Sequence, residues 1–289
     1  MPQTTQLPLE QEPDVQALLR RALQEDIGSG DATTLALVDA DVPARASLTP
    51  RHPMVVAGLG VAAEVFRLVD ERVEARACAA DGEAVGAGRP VMQLRGAARA
   101  LLTAERTALN VLQRMTGIAT ATAAAVKAVS GTGTQILDTR KTAPGLRRLD
   151  KYAVHCGGGT NHRIGLYDAI LIKDNHLAFW RENHRSSLAD AVRAARKAHP
   201  DLKIEIEVDT LAQLEEVLPG KPDWVLLDNM SPETIVQAVA LCRGICKTEA
   251  SGGLTPEAVA AYARTGVTAV SLGALTHSVK AADIGLDFE

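Results

Sequence analysis

No apolar run in the 289-residue chain approaches the roughly 20 residues that a bilayer-spanning helix needs. The opening MPQTTQLPLEQEP is polar and proline-containing, without the apolar core of a signal peptide, so the expected location is the cytoplasm, with no membrane partner. A basic excess is missing too. The net charge of −4 and pI near 6.0 exclude a dedicated nucleic-acid binder, which would carry a basic face. Cysteine is scarce, and Cys78, Cys156, Cys242 and Cys246 are scattered as in a reduced cytosolic protein rather than a disulfide framework. Cys242 and Cys246 stand one helical turn apart, but no third or fourth ligand follows at zinc-site spacing. What remains is an ordinary globular composition, 46% apolar, long enough for about two domains.

After Pro13, DVQALLRRALQED has helical apolar spacing, with Asp14 expected as its N-cap. ARASLTP, PMVVAG, RVEARACAA and PVMQLRG read as short strands, with EVFRLVD helical among them. Residues 97–129 are Ala/Leu-rich and strongly helix-forming, with Gly117 as a break or a packing point. The rhythm then changes. QILDT, AILIKD, KIEIEVD, WVLLDN, CKTEA and VTAVSLG are strand candidates, and amphipathic helix patterns separate the later ones. Two of those helices open on Ser-Pro-Glu or Thr-Pro-Glu, where the hydroxyl caps and proline takes the first helical position. Such alternation implies a parallel sheet, closed or open, with functional groups beyond the carboxyl ends of its strands. About six strands fit, fewer than a complete eight-stranded barrel.

The strand tips collect charge: Asp138, Arg140 and Lys141; Lys173 and Asp174; Glu205, Glu207 and Asp209; Asp228 and Asn229; Glu249 and Ser251; Ser271 and Gly273. In a barrel all of these point to one mouth. KIEIEVD alternates strictly, placing Ile204, Ile206 and Val208 on one face and Glu205, Glu207 and Asp209 on the other, which is expected to point inward.

Between residues 138 and 173, seven basic residues outnumber three acidic ones, a local net charge of +4 within a chain of −4. An anionic ligand is the simplest partner, and a mixture of Arg and Lys suits one bearing carboxylate and phosphate. Ser251, Gly252 and Gly253, expected just before a helix, and Gly273, entering another, offer backbone N–H groups to phosphate. Glu207 and Asp228 complete the set with carboxylate oxygens suited to Mg²⁺ beside phosphates.

ERTALNVLQRMTGIAT, DTRKTAPGLR, KYAVHCGGGTNHRIGLYDAILIKDNH, EIEVD, LLDN, EASGG and GVTAVSLGALTHS, in this order, resemble the quinolinate phosphoribosyltransferases, as does EDIGSGDATT near the start. The resemblance spans nearly the whole chain. It implies an α/β protein in which an N-terminal α+β sandwich-like domain (1–115, with an interdomain helix) precedes an incomplete, about six-stranded α/β barrel (116–278), the tail 279–289 packing on the first domain. It implies Mg²⁺, the substrates quinolinate and phosphoribosyl pyrophosphate, and a homodimer whose sites are completed across the interface, with Arg106 donated by the partner copy. Arg140, His162, Arg163 and Lys173, with Thr139 beside them, are then expected on the quinolinate carboxylates, and Lys141 between substrate and pyrophosphate. Glu207 and Asp228 fall near the ribose hydroxyls and the metal, with Glu207 preferred over Glu205 as nearer the mouth. Ser251, Gly252, Gly253, Ser271 and Gly273 form the phosphate cradle.

Loss of pyrophosphate leaves an oxocarbenium-like ribosyl centre that carboxylates stabilise, and the ribosylated ring accepts electrons as CO₂ departs, so no protein nucleophile is required. Two departures from the family pattern stand out: Ala143 in place of a second threonine, and a charged segment, 179–187, expected as a loop longer than usual. Rival readings are a same-fold enzyme that ribosylates another acid, a Schiff-base aldolase using Lys173, and a phosphate-binding module without catalysis. The latter two leave the opposed acidic side unexplained.

Overall fold

A computed structural model describes residues 7–184, 186–255 and 258–289. The chain divides into two compact units: Met1–Ala123 with Ala143–Gly158 and Ser278–Glu289, and Ala124–Thr142 with Gly159–His277.

In the first unit, α1 (Pro13–Ile27) buries Val15, Leu19 and Leu23, four residues apart along one face. Its N-cap is Glu12 rather than Asp14, because Pro13 takes the first helical position and sets the start one residue earlier. The Asp14 carboxylate accepts the Val15 N–H within the first turn. Helix α2 (Ala32–Leu37) is capped by Asp31, which accepts the Thr34 N–H. Strands β1 (Pro43–Pro50) and β2 (Met54–Val55), helix α3 (Leu59–Val69), and strands β3 (Glu74–Ala77), β4 (Ala84–Val85) and β5 (Met92–Ala97) follow. β1, β5 and β3 form an antiparallel sheet, and the last strand of the chain, Ile284–Phe288, joins it alongside β1 with Leu286 opposite Leu48. Helix α4 (Ala98–Ala128) runs unbroken through Gly117, where a Cβ would collide with the Lys280 carbonyl. This glycine is a packing point. The core gathers Phe66, Leu19, Leu48, Met92, Leu101, Leu112 and Met115, each worth about 1.5–3 kcal/mol of burial. Helix α5 (Arg147–Cys156) completes the unit, its buried Asp150 paired with Arg114 at 2.8 Å.

The second unit holds six parallel strands: β6 (Gln135–Leu137), β7 (Ile170–Ile172), β8 (Ile204–Val208), β9 (Trp224–Asp228), β10 (Lys247–Ser251) and β11 (Ala269–Ser271). Their order is β6-β11-β10-β9-β8-β7, so the first two in sequence stand at opposite ends. One cavity is nevertheless lined by residues from both β6 and β7, which requires the sheet to curl toward a barrel. Thr160 extends the β6 end through a parallel bridge to Leu137, carrying the Asn161-His162-Arg163 stretch with it.

Ile204, Ile206 and Val208 are buried in the core outside the sheet's concave face, as the alternation predicts. Around the sheet lie α6 (Asp174–His184), α7 (Leu188–Ala198), α8 (Leu211–Val217), α9 (Pro232–Cys242), α10 (Val259–Ala263) and α11 (Ala274–His277). Ser187 and Asp190 form a reciprocal capping box on α7, Thr210 caps α8, and Ser231 caps α9 with Pro232 at its first position. The matching Thr-Pro-Glu start cannot be described likewise, since Pro256 and Glu257 lie outside the described residues. The charged segment expected as a loop is helical through His184: Trp180 packs on the core and donates its indole N–H to the Ser187 carbonyl. Arg185 lies outside the described residues.

Candidate active site

At the carboxyl ends of the six strands lies a cavity of about 280 Å³. It is lined by Thr139, Arg140, Lys141, His162, Arg163, Lys173, Glu207, Asp228, Ser251, Gly252 and Ser271, with Leu171, Leu226 and Glu249. Eleven residues expected at the site from sequence thus surround one space. Gly253 and Gly273 do not line it, although Gly253 follows the lining residue Gly252, and the Gly273 Cα faces Lys141, 3.0 Å from where a Cβ would stand. Arg106 is exposed on α4 and belongs to the first unit.

The basic cluster is smaller than its sequence count. Arg147, Arg148 and Lys151 ride on α5 in the first unit, where Arg148 pairs with Glu12. Helix α5 intervenes between the strand tip and Asn161, and none of its three bases lines the cavity. Arg140, Lys141, Arg163 and Lys173 remain.

One side of the cavity concentrates positive charge. Burial first, and the neighbouring Arg140 charge second, hold the Arg163 guanidinium below its usual range. Arg140 Nε is buried without a hydrogen-bond partner among the described residues, and Ser271 Oγ shares that condition. Two guanidiniums that repel each other, with an unsatisfied donor, define a place for an anion.

The facing side is acidic. Burial pushes Glu207 above the ordinary carboxylate range; Lys173, at 3.9 Å, opposes this, and Asp228, Asp174 and Asp209 add repulsion. Asp228 is likewise raised by burial and by Asp209, against Lys141 and Lys173. A cation between Glu207 and Asp228 would relieve both, and carboxylate oxygens beside a phosphate site are the donor set that Mg²⁺ takes. In the Ser251-Gly252-Gly253 loop, Gly252 has φ +100° and a Cβ there would strike Asn229, while Gly253 has φ +58°. Only glycine fits both conformations without strain. The described part of the next helix begins at Val259, and the expected Thr-Pro-Glu start includes Pro256 and Glu257, outside the described residues.

Beneath this layer stands a group that reasoning from sequence did not connect. His162 Nε2 lies 2.8 Å from Glu205 and 3.4 Å from Glu249, both buried. His162 Nδ1 accepts the Arg163 backbone N–H at 2.7 Å, and the His162 backbone N–H is donated to the buried Asp138 at 2.8 Å. Asp138, at the tip that also carries Arg140 and Lys141, therefore anchors this loop and does not line the cavity. Burial works against an imidazolium, but the hydrogen bonds that Glu205 and Glu249 accept from the ring prevail and raise His162. Burial and the Glu249 charge push Glu205 up to about 7, against His162. The cluster thus keeps an extra proton into the neutral range. An Nδ1 that accepts a backbone N–H has no room for it, so the hydrogen-bond pattern assigns it to the carboxyl pair and leaves a neutral, Nε2-protonated imidazole. By donor type the three groups could also hold a divalent cation, their ligand atoms lying within 4.8 Å of one another. The sequence signal for Glu205 was its inward alternation and for Glu249 its strand tip; that both reach one imidazole across β9 needed the sheet order.

Comparison with known proteins bears on the chemistry. Residues 31–116 match the quinolinate phosphoribosyl transferase N-terminal domain and residues 118–287 its C-terminal domain. The chain is 49% identical over 277 residues to the nicotinate-nucleotide pyrophosphorylase [carboxylating] of Mycobacterium leprae, covering 93% of this chain and 95% of that protein. It is 42% identical over 271 residues to the probable enzyme of the same name from Bacillus subtilis, covering 93% and 92%. The solved structure of the nicotinate-nucleotide pyrophosphorylase from Francisella tularensis superposes with a TM-score of 0.90 at 39% identity, covering 98% of each chain.

Proposed function

The chain belongs to the quinolinate phosphoribosyltransferase family, and from that premise we propose how its own residues carry out the reaction. Its activity is that of a carboxylating nicotinate-nucleotide pyrophosphorylase in NAD biosynthesis. In the synthetic direction, quinolinate and phosphoribosyl pyrophosphate give nicotinate mononucleotide, pyrophosphate and CO₂.

Arg140, His162, Arg163 and Lys173 meet the two carboxylates of quinolinate, with Thr139 at their edge. The observation that carries this reading is the half-buried, mutually repelling Arg140/Arg163 pair, with its unsatisfied Nε, lining one 280 Å³ cavity together with Glu207 and Asp228. Fixing two carboxylates fixes the ring, which brings its nitrogen within attack distance of the ribose C1. Ser251, Gly252, Gly253, Ser271 and Gly273 take the 5′-phosphate. As the C1–oxygen bond breaks, its electron pair leaves with pyrophosphate, and Lys141 meets that charge. Glu207 and Asp228 face the cationic ribosyl centre and its hydroxyls. The pyridine nitrogen lone pair forms the new bond to C1. The C2–carboxylate bond then breaks, CO₂ leaves, its electron pair stays on the cationic ring, and C2 takes a proton. Glu207 and Asp228 would hold Mg²⁺, directly or through water, and the ion would supply charge neutralisation at the pyrophosphate.

The protein works as a homodimer in which Arg106 of one copy completes the quinolinate site of the other. Incubation with Mg²⁺, phosphoribosyl pyrophosphate and carboxyl-labelled quinolinate, with nicotinate in parallel, tests the chemistry: labelled CO₂ and mononucleotide from quinolinate support it, and product from nicotinate alone refutes the substrate. Mixing inactive Arg106→Ala and Arg140→Ala proteins tests the shared site, since random reassortment should restore roughly a quarter of the activity. No recovery on mixing would place Arg106 within its own subunit's site.

A further inference from the structure

The inside of a β/α barrel is usually filled by branched aliphatic side chains, yet this sheet buries two glutamates beneath its ligand cavity. Glu205 and Glu249 are 7% and 1% exposed. Carboxyl groups removed from water cost several kcal/mol unless they are paired, and an apolar filling of equal volume would be at least as stable. Both aim at the same ring nitrogen, His162 Nε2, from strands β8 and β10 on either side of β9. The other nitrogen accepts the backbone N–H of Arg163, and the Arg163 guanidinium donates to the Ala169 carbonyl at 3.2 Å. The imidazole is therefore gripped at both ends. His162, Arg163 and Glu249 also line a second cavity, of about 440 Å³, at the amino ends of the strands. This layer is the partition between the two mouths.

We infer that Glu205 and Glu249 are positioning residues: they hold the His162 ring as a hydrogen-bonded wedge, whose Nδ1 accepts the Arg163 N–H, and so set where His162 and Arg163 stand in the wall of the ligand cavity. The inference rests on the dicarboxylate reading given above. What a hydrogen-bonded wedge adds over an apolar layer is direction, since packing alone leaves a long arginine several rotamers.

The test uses full-length protein labelled with ¹⁵N at its seven histidines, His162 being assigned by the signal lost in His162→Gln. Its Nδ1 should read as an unprotonated acceptor and its Nε2 as protonated, both before and after saturation with quinolinate as followed by equilibrium dialysis. Glu249→Leu should raise the KM for quinolinate about tenfold with the KM for phosphoribosyl pyrophosphate unchanged, and Glu249→Gln, which keeps an acceptor in place, should restore most of it. A protonated Nδ1 in the free protein would overturn the inference, because the ring would then not accept the Arg163 N–H and would not be held at both ends. So would a metal ion on Nε2, or an equal rise in both KM values, as general loosening produces. If dialysis shows no quinolinate binding, the dicarboxylate reading falls, and the tautomer in the free protein still decides whether the wedge exists.

Discussion

Glu205 and Glu207 sit two residues apart on the same inward face of β8, and their surroundings give them opposite tasks. Glu207 reaches the cavity, half-buried, with Lys173 at 3.9 Å and three other carboxylates raising its proton affinity. Glu205 lies one layer lower, where His162 stands 2.8 Å away. In the upper layer Arg140 repels Arg163 and Glu207 repels Asp228, with Lys173 on the acidic side. Below, Glu205 and Glu249 are both turned onto His162 Nε2, and Glu205 Oε1 is buried without a hydrogen-bond partner among the described residues. Residue type therefore does not separate ligand-binding groups from structural ones here. What each group faces does, because a carboxyl turned onto a side chain of its own chain has less left to offer a substrate than one that faces the cavity.

If that contrast holds, removing an upper-layer charge should remove activity and leave stability alone. Arg140→Ala carries the largest expected effect: kcat/KM falls roughly a thousandfold, about 4 kcal/mol of transition-state stabilisation, while the melting temperature stays level or rises as repulsion on Arg163 is relieved. A melting temperature that drops sharply would show that Arg140 is a structural partner and would break the contrast. Asp228→Asn comes next, with about a hundredfold loss in kcat and a higher Mg²⁺ requirement, again without loss of stability. Unchanged Mg²⁺ dependence would move the metal away from this acid.

Much of this was legible in the sequence. All six strands of the parallel sheet could be read: QILDT, AILIKD and WVLLDN are short apolar runs ended by charge, and the alternation in KIEIEVD assigned its faces correctly. Helix α6 was missed because AFWRENHRSS is dense in charge; Leu177 and Trp180, which turn it inward, are two anchors too sparse to stand out. Asp14 looked like a cap until Pro13 set the helix start. The last strand, Ile284–Phe288, was not read as one, since Gly285 and Asp287 dilute its β character and its partner β1 is more than 200 residues away. The site residues were legible as types at strand tips. The pairing of His162 with Glu205 and Glu249 was not, because strand order is a property of the sheet and leaves no mark in local pattern.

Gly252→Ala sharpens the contrast at the proposed phosphate cradle, where the backbone rather than a charge would be the binding group. With φ at +100° and Asn229 in the path of a Cβ, the loop must shift, so the KM for phosphoribosyl pyrophosphate should rise about tenfold while binding of quinolinate alone is retained. Equal weakening of both ligands would mean that the loop organises the whole cavity.

Glu205→Gln should have the smallest effect on turnover, less than about threefold, because glutamine keeps an acceptor for His162. Its signature lies in stability against pH. The folded-state pKa of Glu205, about 7, stands above the 4.5 of an unperturbed glutamate, so the native state holds a proton that the unfolded chain has released between those values. A group raised in this way gives its stability below pH 4.5 and loses it as pH rises through 7. Glutamine has no proton to lose. Urea unfolding at pH 5 and pH 8 should therefore show Glu205→Gln gaining on the original protein by on the order of 2 kcal/mol across that interval. Parallel curves would mean that Glu205 is already ionised at pH 5 and that His162 carries the shared proton, which would turn the lower layer from a neutral wedge into an ion pair and remove the distinction between the two layers of β8.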